Sequence, residues 1–144
     1  MKTALHIRLV LWRAAKSIES VDHASIAETG LQLSEFGIME TLLNKGPLPI
    51  NIIGQKVLLT SGSMTAAVNR LENKGYVRRV RDENDGRCFR VHLTTEGHSV
   101  IEQAYIQHTQ NLEKAASVMT QQERDELVRL LKKLGLNARR CLSD

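Results

Sequence analysis

At Gly75 the apolar periodicity of this chain changes from helical to alternating. Before it, Met64, Val68 and Leu71 recur at i, i+4 and i+7, the spacing of one helix face. After it, residues 76–81 and 87–93 read as two strands joined across Asn84-Asp85-Gly86, an Asp-Gly hairpin signal. In the second strand Phe89, Val91 and Leu93 alternate with Cys88, Arg90 and His92, which predicts one packed and one wet face. A short helix that stops at a glycine and turns into a hairpin outlines a recognition helix followed by a β-wing. Residues 60–94 are therefore the unit that the rest of the chain must hold.

Upstream, Ile50, Ile52, Ile53 and Val57 predict a brief helix, after which Leu58 and Leu59 lead into Thr60-Ser61-Gly62-Ser63. Two short helices joined by a tight turn make a helix-turn-helix, whose second member enters the major groove of DNA. With Met64, Val68 and Leu71 facing inward, Ser61, Ser63, Thr65, Ala66, Asn69, Arg70 and Asn73 are left on the outer and flanking faces. They are small near the N-terminal end, where a helix must approach a duplex closely.

Charge points the same way. Twenty Lys and Arg against sixteen Asp and Glu give a net charge of +4. Such an excess indicates a polyanion partner when arginines cluster, and Arg70, Arg78, Arg79, Arg81, Arg87 and Arg90 lie close together. Arg87 sits at the hairpin tip, where it can reach into a narrow minor groove or stay solvated. Trp12, Phe36, Tyr76, Phe89 and Tyr105 are the only aromatic residues, too few for a surface that stacks splayed bases. Duplex DNA is the expected partner.

A length of 144 residues predicts one compact domain. From about residue 3 to 27, Leu5, Leu9, Trp12 and Ala15, with Ile7, Leu11, Ile18 and Val21, recur at helical spacing. Ser34 is the expected N-cap of a second helix carrying Phe36, Met39, Leu42 and Leu43, ended by Lys45-Gly46-Pro47. After the wing, Thr94-Thr95-Glu96-Gly97 opens a long helix to about Met119, with Ile101, Ala104, Tyr105, His108, Leu112, Ala115 and Met119 on one stripe. Thr120 and Glu123 form a capping box for a last helix with Leu127, Leu131, Leu134, Ala138 and Cys141 in register. The terminal helices carry more apolar face than a small winged domain needs, so a second copy of the chain is expected to bury part of it.

Taken in order, the residues resemble the MarR family of winged helix-turn-helix transcription regulators. The resemblance is carried by LSEFGIMETLLNKG at 33–46, by T-x-x-V-N-R-L-E-x-K-G-Y-V-x-R at 65–79, by D-G-R at 85–87 and by L-T-x-E-G at 93–97. It implies a mainly α fold with a small β-wing, built as one domain over 1–144. The winged helix-turn-helix would occupy about 33–97, and about 3–28 and 98–142 would form a helical dimerisation region. It also implies a homodimeric repressor that binds a pseudo-palindromic operator and is released by a small aromatic or anionic effector. Carried over by position, the DNA contacts would be Lys56, Ser61, Ser63, Thr65, Ala66, Asn69, Arg70 and Arg87. Asp85 would pair with Arg70 to brace the wing, and Leu11, Trp12, Phe36 and Met39 would line the effector pocket. Many members have Arg where this chain has Ala66, so one contact of the family is missing. The run at 53–65 is similar to members that respond to quinones.

Other readings are narrower. Cys88 and Cys141 are far apart and form no C-x-x-C, which disfavours a disulfide scaffold or zinc knuckle and fits a reduced cytoplasm. Cys88 on the wing, beside arginines that would lower its pKa, is the alternative of a redox-responsive regulator. His6, His23, His92, His98 and His108 are scattered without ligand spacing, so no metal and no cofactor are expected. No G-x-S-x-G, P-loop or G-x-G-x-x-G is present, which argues against an enzyme. A winged helix that binds protein is the remaining alternative. Arg8, Arg13 and Lys16 interrupt the N-terminal apolar residues, and no run approaches the ~20 needed to span a bilayer, so a soluble cytoplasmic protein without membrane contact is expected.

Overall fold

The computed structural model describes residues 3–57 and 61–143, with Ser61 described by its backbone alone. The readings placed on Leu58, Leu59, Thr60 and the Ser61 side chain lie outside the described residues. The chain divides into two compact units, 1–112 and 113–144. The elements are α1 (Ala4–Ala27), α2 (Leu33–Lys45), β1 (Leu48–Pro49), α3 (Ile50–Val57), α4 (Ser61–Asn73), β2 (Val77–Arg81), β3 (Phe89–Leu93), α5 (Thr95–Ala116) and α6 (Gln121–Arg140). The fold is mainly helical with a small antiparallel wing.

In the first unit, α2 supplies Phe36, Ile38, Met39 and Leu42 to the core, where Ile53 of α3 and Met64, Ala67, Val68 and Leu71 of α4 meet them. Val77 and Val91 of the sheet, Ile101 and Ala104 of α5, Ile26 of α1 and Leu31 complete it. Each large side chain buried this way contributes about 1.5–3 kcal/mol, so α4 is held by its inner face and leaves the other exposed.

α2 begins before the expected cap. Its N-cap is Gln32, and the Glu35 carboxylate accepts the Gln32 N–H at 2.8 Å. A glutamate at the third helical position caps the turn from inside, which releases the Ser34 hydroxyl for another partner.

The sheet has three strands in the order β1-β3-β2. β1 was not legible in the sequence, because two residues carry no periodicity; it pairs Leu48 with Val91 and Pro49 with Arg90. Proline is tolerated here because β1 is an edge strand. β2 and β3 pair Val77 with Leu93, Arg79 with Val91 and Arg81 with Phe89. Their connection is longer than the expected turn at 84–86. It spans 82–88, closed by Asp82 N–H to the Cys88 carbonyl at 2.9 Å and by Cys88 N–H to the Asp85 carbonyl at 3.0 Å. Phe89 does not pack inward as its alternation predicts. It lies exposed beyond the end of the core, with the Arg81 guanidinium 5.5 Å above its ring.

Two glycines join helix to wing to helix. Gly75 takes φ +78 at the end of α4, a left-handed value that suits glycine and lets Tyr76 N–H reach the Leu71 carbonyl at 3.0 Å. A Cβ on Gly97 would lie 1.9 Å from the Tyr76 carbonyl oxygen, so the start of α5 lies directly against the backbone at the start of the wing. Thr94 links the two: its hydroxyl donates to the Gly75 carbonyl at 2.6 Å and accepts the Gly97 N–H at 3.0 Å.

In the second unit, Thr120 caps α6 and accepts the Glu123 N–H at 3.2 Å, while the Glu123 carboxylate accepts the Thr120 N–H at 2.8 Å. Arg124 binds Glu113 at 2.7 Å and the Ala116 carbonyl at 3.0 Å, fixing the turn into the helix. α6 buries none of its residues, and Leu127, Leu131 and Leu134 are exposed. On α1, in the first unit, Leu5 is 74% and Trp12 58% exposed. Among the described residues, no helix is long and apolar enough to cross a membrane.

Candidate nucleic-acid interface

The outer face of α4 is as small as its sequence predicts. Gly62, Ser63, Thr65, Ala66, Asn69 and Asn73 are exposed, while Met64, Ala67, Val68 and Leu71 are buried beneath them. Lys56, also exposed, lies near the end of α3.

Arg70 does not join that outer group fully. Its Nη2 donates to Ser34 Oγ at 3.3 Å and its Nε lies 3.6 Å from the Glu35 carboxylate. The expected Asp85–Arg70 pair is therefore not formed. Glu35 is completely buried, and an ionised carboxylate removed from water holds nearby cations more strongly than an exposed one does. Asp85 instead folds onto its own turn, where Oδ1 accepts the Arg87 N–H at 3.0 Å.

A different arginine ties the wing to the recognition helix. Arg79 on β2 binds the Glu72 carboxylate through Nη1 and, at 3.3 Å, through its backbone N–H. Its Nη2 reaches Asn69 Oδ1 at 2.7 Å. The sequence held all three residues but no signal that would pair them, because the contact depends on how the strand lies against the helix.

The arginine cluster is largely committed to internal contacts. Arg90 pairs with Asp82 at 3.0 Å and reaches the Pro47 carbonyl at 3.4 Å, and Arg81 covers Phe89. Among the described residues, the guanidinium groups of Arg78 and Arg87 alone in this cluster have no partner, and both side chains are exposed. Asp82 is held below the usual carboxylate range, chiefly by the Asn84 N–H and then by Arg90.

Cys88 departs from expectation. Its pKa is raised, first by its hydrogen bond to Asp85 and then by the charges of Asp85 and Asp82. The charge closest to the sulfur is a carboxylate, with Sγ 3.5 Å from Asp85 Oδ2, so the arginines do not lower it.

A cavity of about 520 Å³ opens between α1, α2, the end of α3 and α5 of the first unit. Ile26, Leu33, Phe36 and Val57 give it an apolar wall, and Asp22, Glu40, Lys56 and His108 a charged one. Phe36 and His108 meet edge to face at 5.0 Å, and His108 Nε2 lies 3.4 Å from Asp22. Burial raises the pKa of Glu40; His108 opposes that rise and Asp22 adds to it. Of the residues expected to line an effector pocket, Phe36 alone reaches this cavity. Met39 is wholly in the core, and Leu11 and Trp12 lie on the exposed face of α1. Among the described residues, no group of three His, Cys, Asp or Glu could hold a metal ion.

Comparison with known proteins agrees with this architecture. Residues 31–89 match the model of the MarR family. The chain is 32% identical over 142 residues to the uncharacterized HTH-type transcriptional regulator YkoM of Bacillus subtilis, covering 99% of this chain and 92% of that one. It is 33% identical over 136 residues to MhqR, an HTH-type transcriptional regulator of the same organism, covering 94% of each. A MarR family protein from Bacillus stearothermophilus has the same fold, with a TM-score of 0.78 at 23% identity over 95% of this chain and 96% of that one. Reduced AbfR, whose structure was solved bound to DNA, superposes with a TM-score of 0.73 at 23% identity, covering 96% and 94%. A small-faced recognition helix, a wing and relatives matched along nearly their whole length lead to one conclusion: this chain belongs to the MarR family of transcriptional regulators.

Proposed function

We propose that the chain is a sequence-specific, double-stranded DNA-binding repressor that acts in the cytoplasm as a homodimer. The observation that carries this reading is the pairing of a small, polar α4 outer face with two guanidinium groups on the wing, Arg78 and Arg87, that have no partner among the described residues. Small residues let a helix settle into the major groove, and arginine at a hairpin tip suits the minor groove beside it. The exposed side chains of Lys56, Ser63, Thr65 and Asn69 supply polar groups around the same face. AbfR, which has a similar fold, was solved on DNA, in line with this reading.

A second copy suits the exposed apolar residues of α1 and α6, since two recognition helices must sit about 34 Å apart to use successive major grooves. Selection of duplexes from a random pool tests DNA recognition and symmetry together. The expected product is a palindrome whose binding weakens steeply with salt, because phosphate contacts release counterions. Recovery of no preferred duplex would overturn the reading in favour of a protein-binding winged helix. Light scattering that gives a monomer at micromolar concentration would overturn the dimer.

The cavity supports regulation by a small aromatic compound, with a ring against Phe36 and polar substituents toward Asp22, Glu40, His108 or Lys56. An effector acts only through its preference between the DNA-competent and incompetent shapes, so affinity alone does not derepress. Phe36→Ala should abolish relief of DNA binding by an aromatic effector; unchanged relief would remove the cavity from the mechanism. The raised pKa of Cys88 weighs against the redox alternative.

A further inference from the structure

We infer that Arg79 is a positioning residue for base recognition: by occupying the Asn69 carbonyl oxygen, it turns the Asn69 amide so that its NH2 group faces the duplex. The inference rests on the DNA-binding reading above and goes beyond it, by naming which bases this position accepts.

A guanidinium carries donors only, so the Asn69 atom 2.7 Å from Arg79 Nη2 must be the oxygen whichever way the amide is drawn. The guanidinium is itself fixed. Its Nη1 binds Glu72, three residues after Asn69 on the same helix, and the Arg79 backbone N–H binds the second oxygen of that carboxylate at 3.3 Å. Arg79 in turn sits opposite the fully buried Val91 in the β2-β3 ladder, so its backbone moves only with the core. Each link uses an element that the core already holds. The Asn69 side chain is thus oriented before any DNA arrives, although it is exposed on the outer face of α4.

The chemical consequence follows from the groove pattern. An unconstrained asparagine reads adenine with both ends of its amide, donating to N7 and accepting from N6. With its oxygen directed at Arg79, Asn69 cannot lay both ends along one adenine. Its NH2 group donates to a single acceptor instead: guanine, whose N7 and O6 both accept, or thymine O4 suits a lone donor, whereas adenine N7 lies beside the N6 donor, which then finds no acceptor on Asn69. The charge of Arg79 polarises the amide and strengthens that donation. Ala66, one turn earlier on the same face, has no long side chain to hold Asn69 away from the base edge.

The test is duplex selection with the wild-type chain, Asn69→Ala, Asn69→Asp and Arg79→Met, each checked for its melting midpoint. Asn69→Ala identifies the base pair in each half-site that Asn69 reads, as the position whose preference flattens. The wild type should carry guanine or thymine there. Arg79→Met should erase or redirect that preference toward adenine by about tenfold, a change typical of one lost bidentate or charge-assisted contact, while the other positions keep theirs. Asn69→Asp keeps the link to Arg79 but has no donor. It should lose the guanine or thymine preference in a chain that melts normally, so the idea stays testable even if Arg79→Met unfolds. A merely structural role for Arg79 would weaken all positions alike. That outcome, a wild-type adenine at the Asn69 position, or an unchanged preference in Asn69→Asp would overturn the inference while leaving DNA binding intact. Recovery of no preferred duplex by the wild type would overturn both.

Discussion

Lys74 Nζ lies 3.0 and 3.1 Å from the two oxygens of the Glu35 carboxylate, bridging the end of α4 to the start of α2 around a side chain with no exposure to solvent. Arg70 approaches the same carboxylate from the preceding turn, and Gln32 N–H caps it. The recognition helix is thereby anchored electrostatically at its C-terminal half as well as by its apolar face.

Lys74→Met should destabilise the fold by about 2–3 kcal/mol, because it leaves a buried carboxylate short of its principal cation. The value falls below the ~3–5 kcal/mol of a fully buried broken pair because Lys74 is 37% exposed and Arg70 remains. Glu35→Gln should cost only about 1 kcal/mol, since the amide oxygen still accepts the Gln32 N–H and the freed ammonium can reach water. Urea midpoints measure both, and equal losses would contradict the asymmetry.

Arg87→Ala should weaken operator binding by about 1–3 kcal/mol. Its guanidinium contacts no described side chain, so the melting temperature should stay unchanged. Filter binding and differential scanning calorimetry together check this; unaltered affinity would remove Arg87 from the interface.

Asp85→Ala and Arg70→Ala should act additively on DNA affinity, because Asp85 is committed to the wing turn and Arg70 to α2. Asn69→Ala and Arg79→Met should be non-additive, since they remove two ends of one contact. Two double-mutant cycles decide which pair is coupled. Coupling between Asp85 and Arg70 would restore the brace expected from sequence.

Cys88 should alkylate slowly at neutral pH. Asp85 raises its pKa, so the thiolate fraction is small below that value and grows as pH rises through it. Asp85→Asn removes the neighbouring charge and should move the rate profile to lower pH. A profile that does not move would mean that the carboxylate is not the cause.

Glu40 gives a pH dependence of the opposite sign to that of a salt-bridged carboxylate. Its folded-state pKa is raised above the unfolded value of about 4.3, so the folded chain holds the proton more tightly. Its contribution favours folding at low pH and is lost as pH rises from that value through the raised one. The difference in stability between the wild type and Glu40→Gln should follow that course in urea titrations at pH 4 to 7. A constant difference would place Glu40 in water.

The order of helices, the break at Gly75, the Asp-Gly wing and the division of α4 into inner and outer faces were all legible in the chain. Each follows from local periodicity or from a residue with a restricted backbone preference. Met64, Val68 and Leu71 face inward because the helical repeat puts them on one side, and Gly75 ends α4 because glycine takes the left-handed φ that the stop requires. The tertiary structure decided what periodicity cannot encode, namely which charge finds which. Several arginines and carboxylates lie within reach of one another along the wing and helix. Burial selected Glu35 as the partner of Arg70 and Lys74, and the lie of β2 against α4 gave Arg79 to Glu72 and Asn69. Ion pairs are long-range in sequence and strong only where water is excluded, so their choice waits until the apolar core has set the distances.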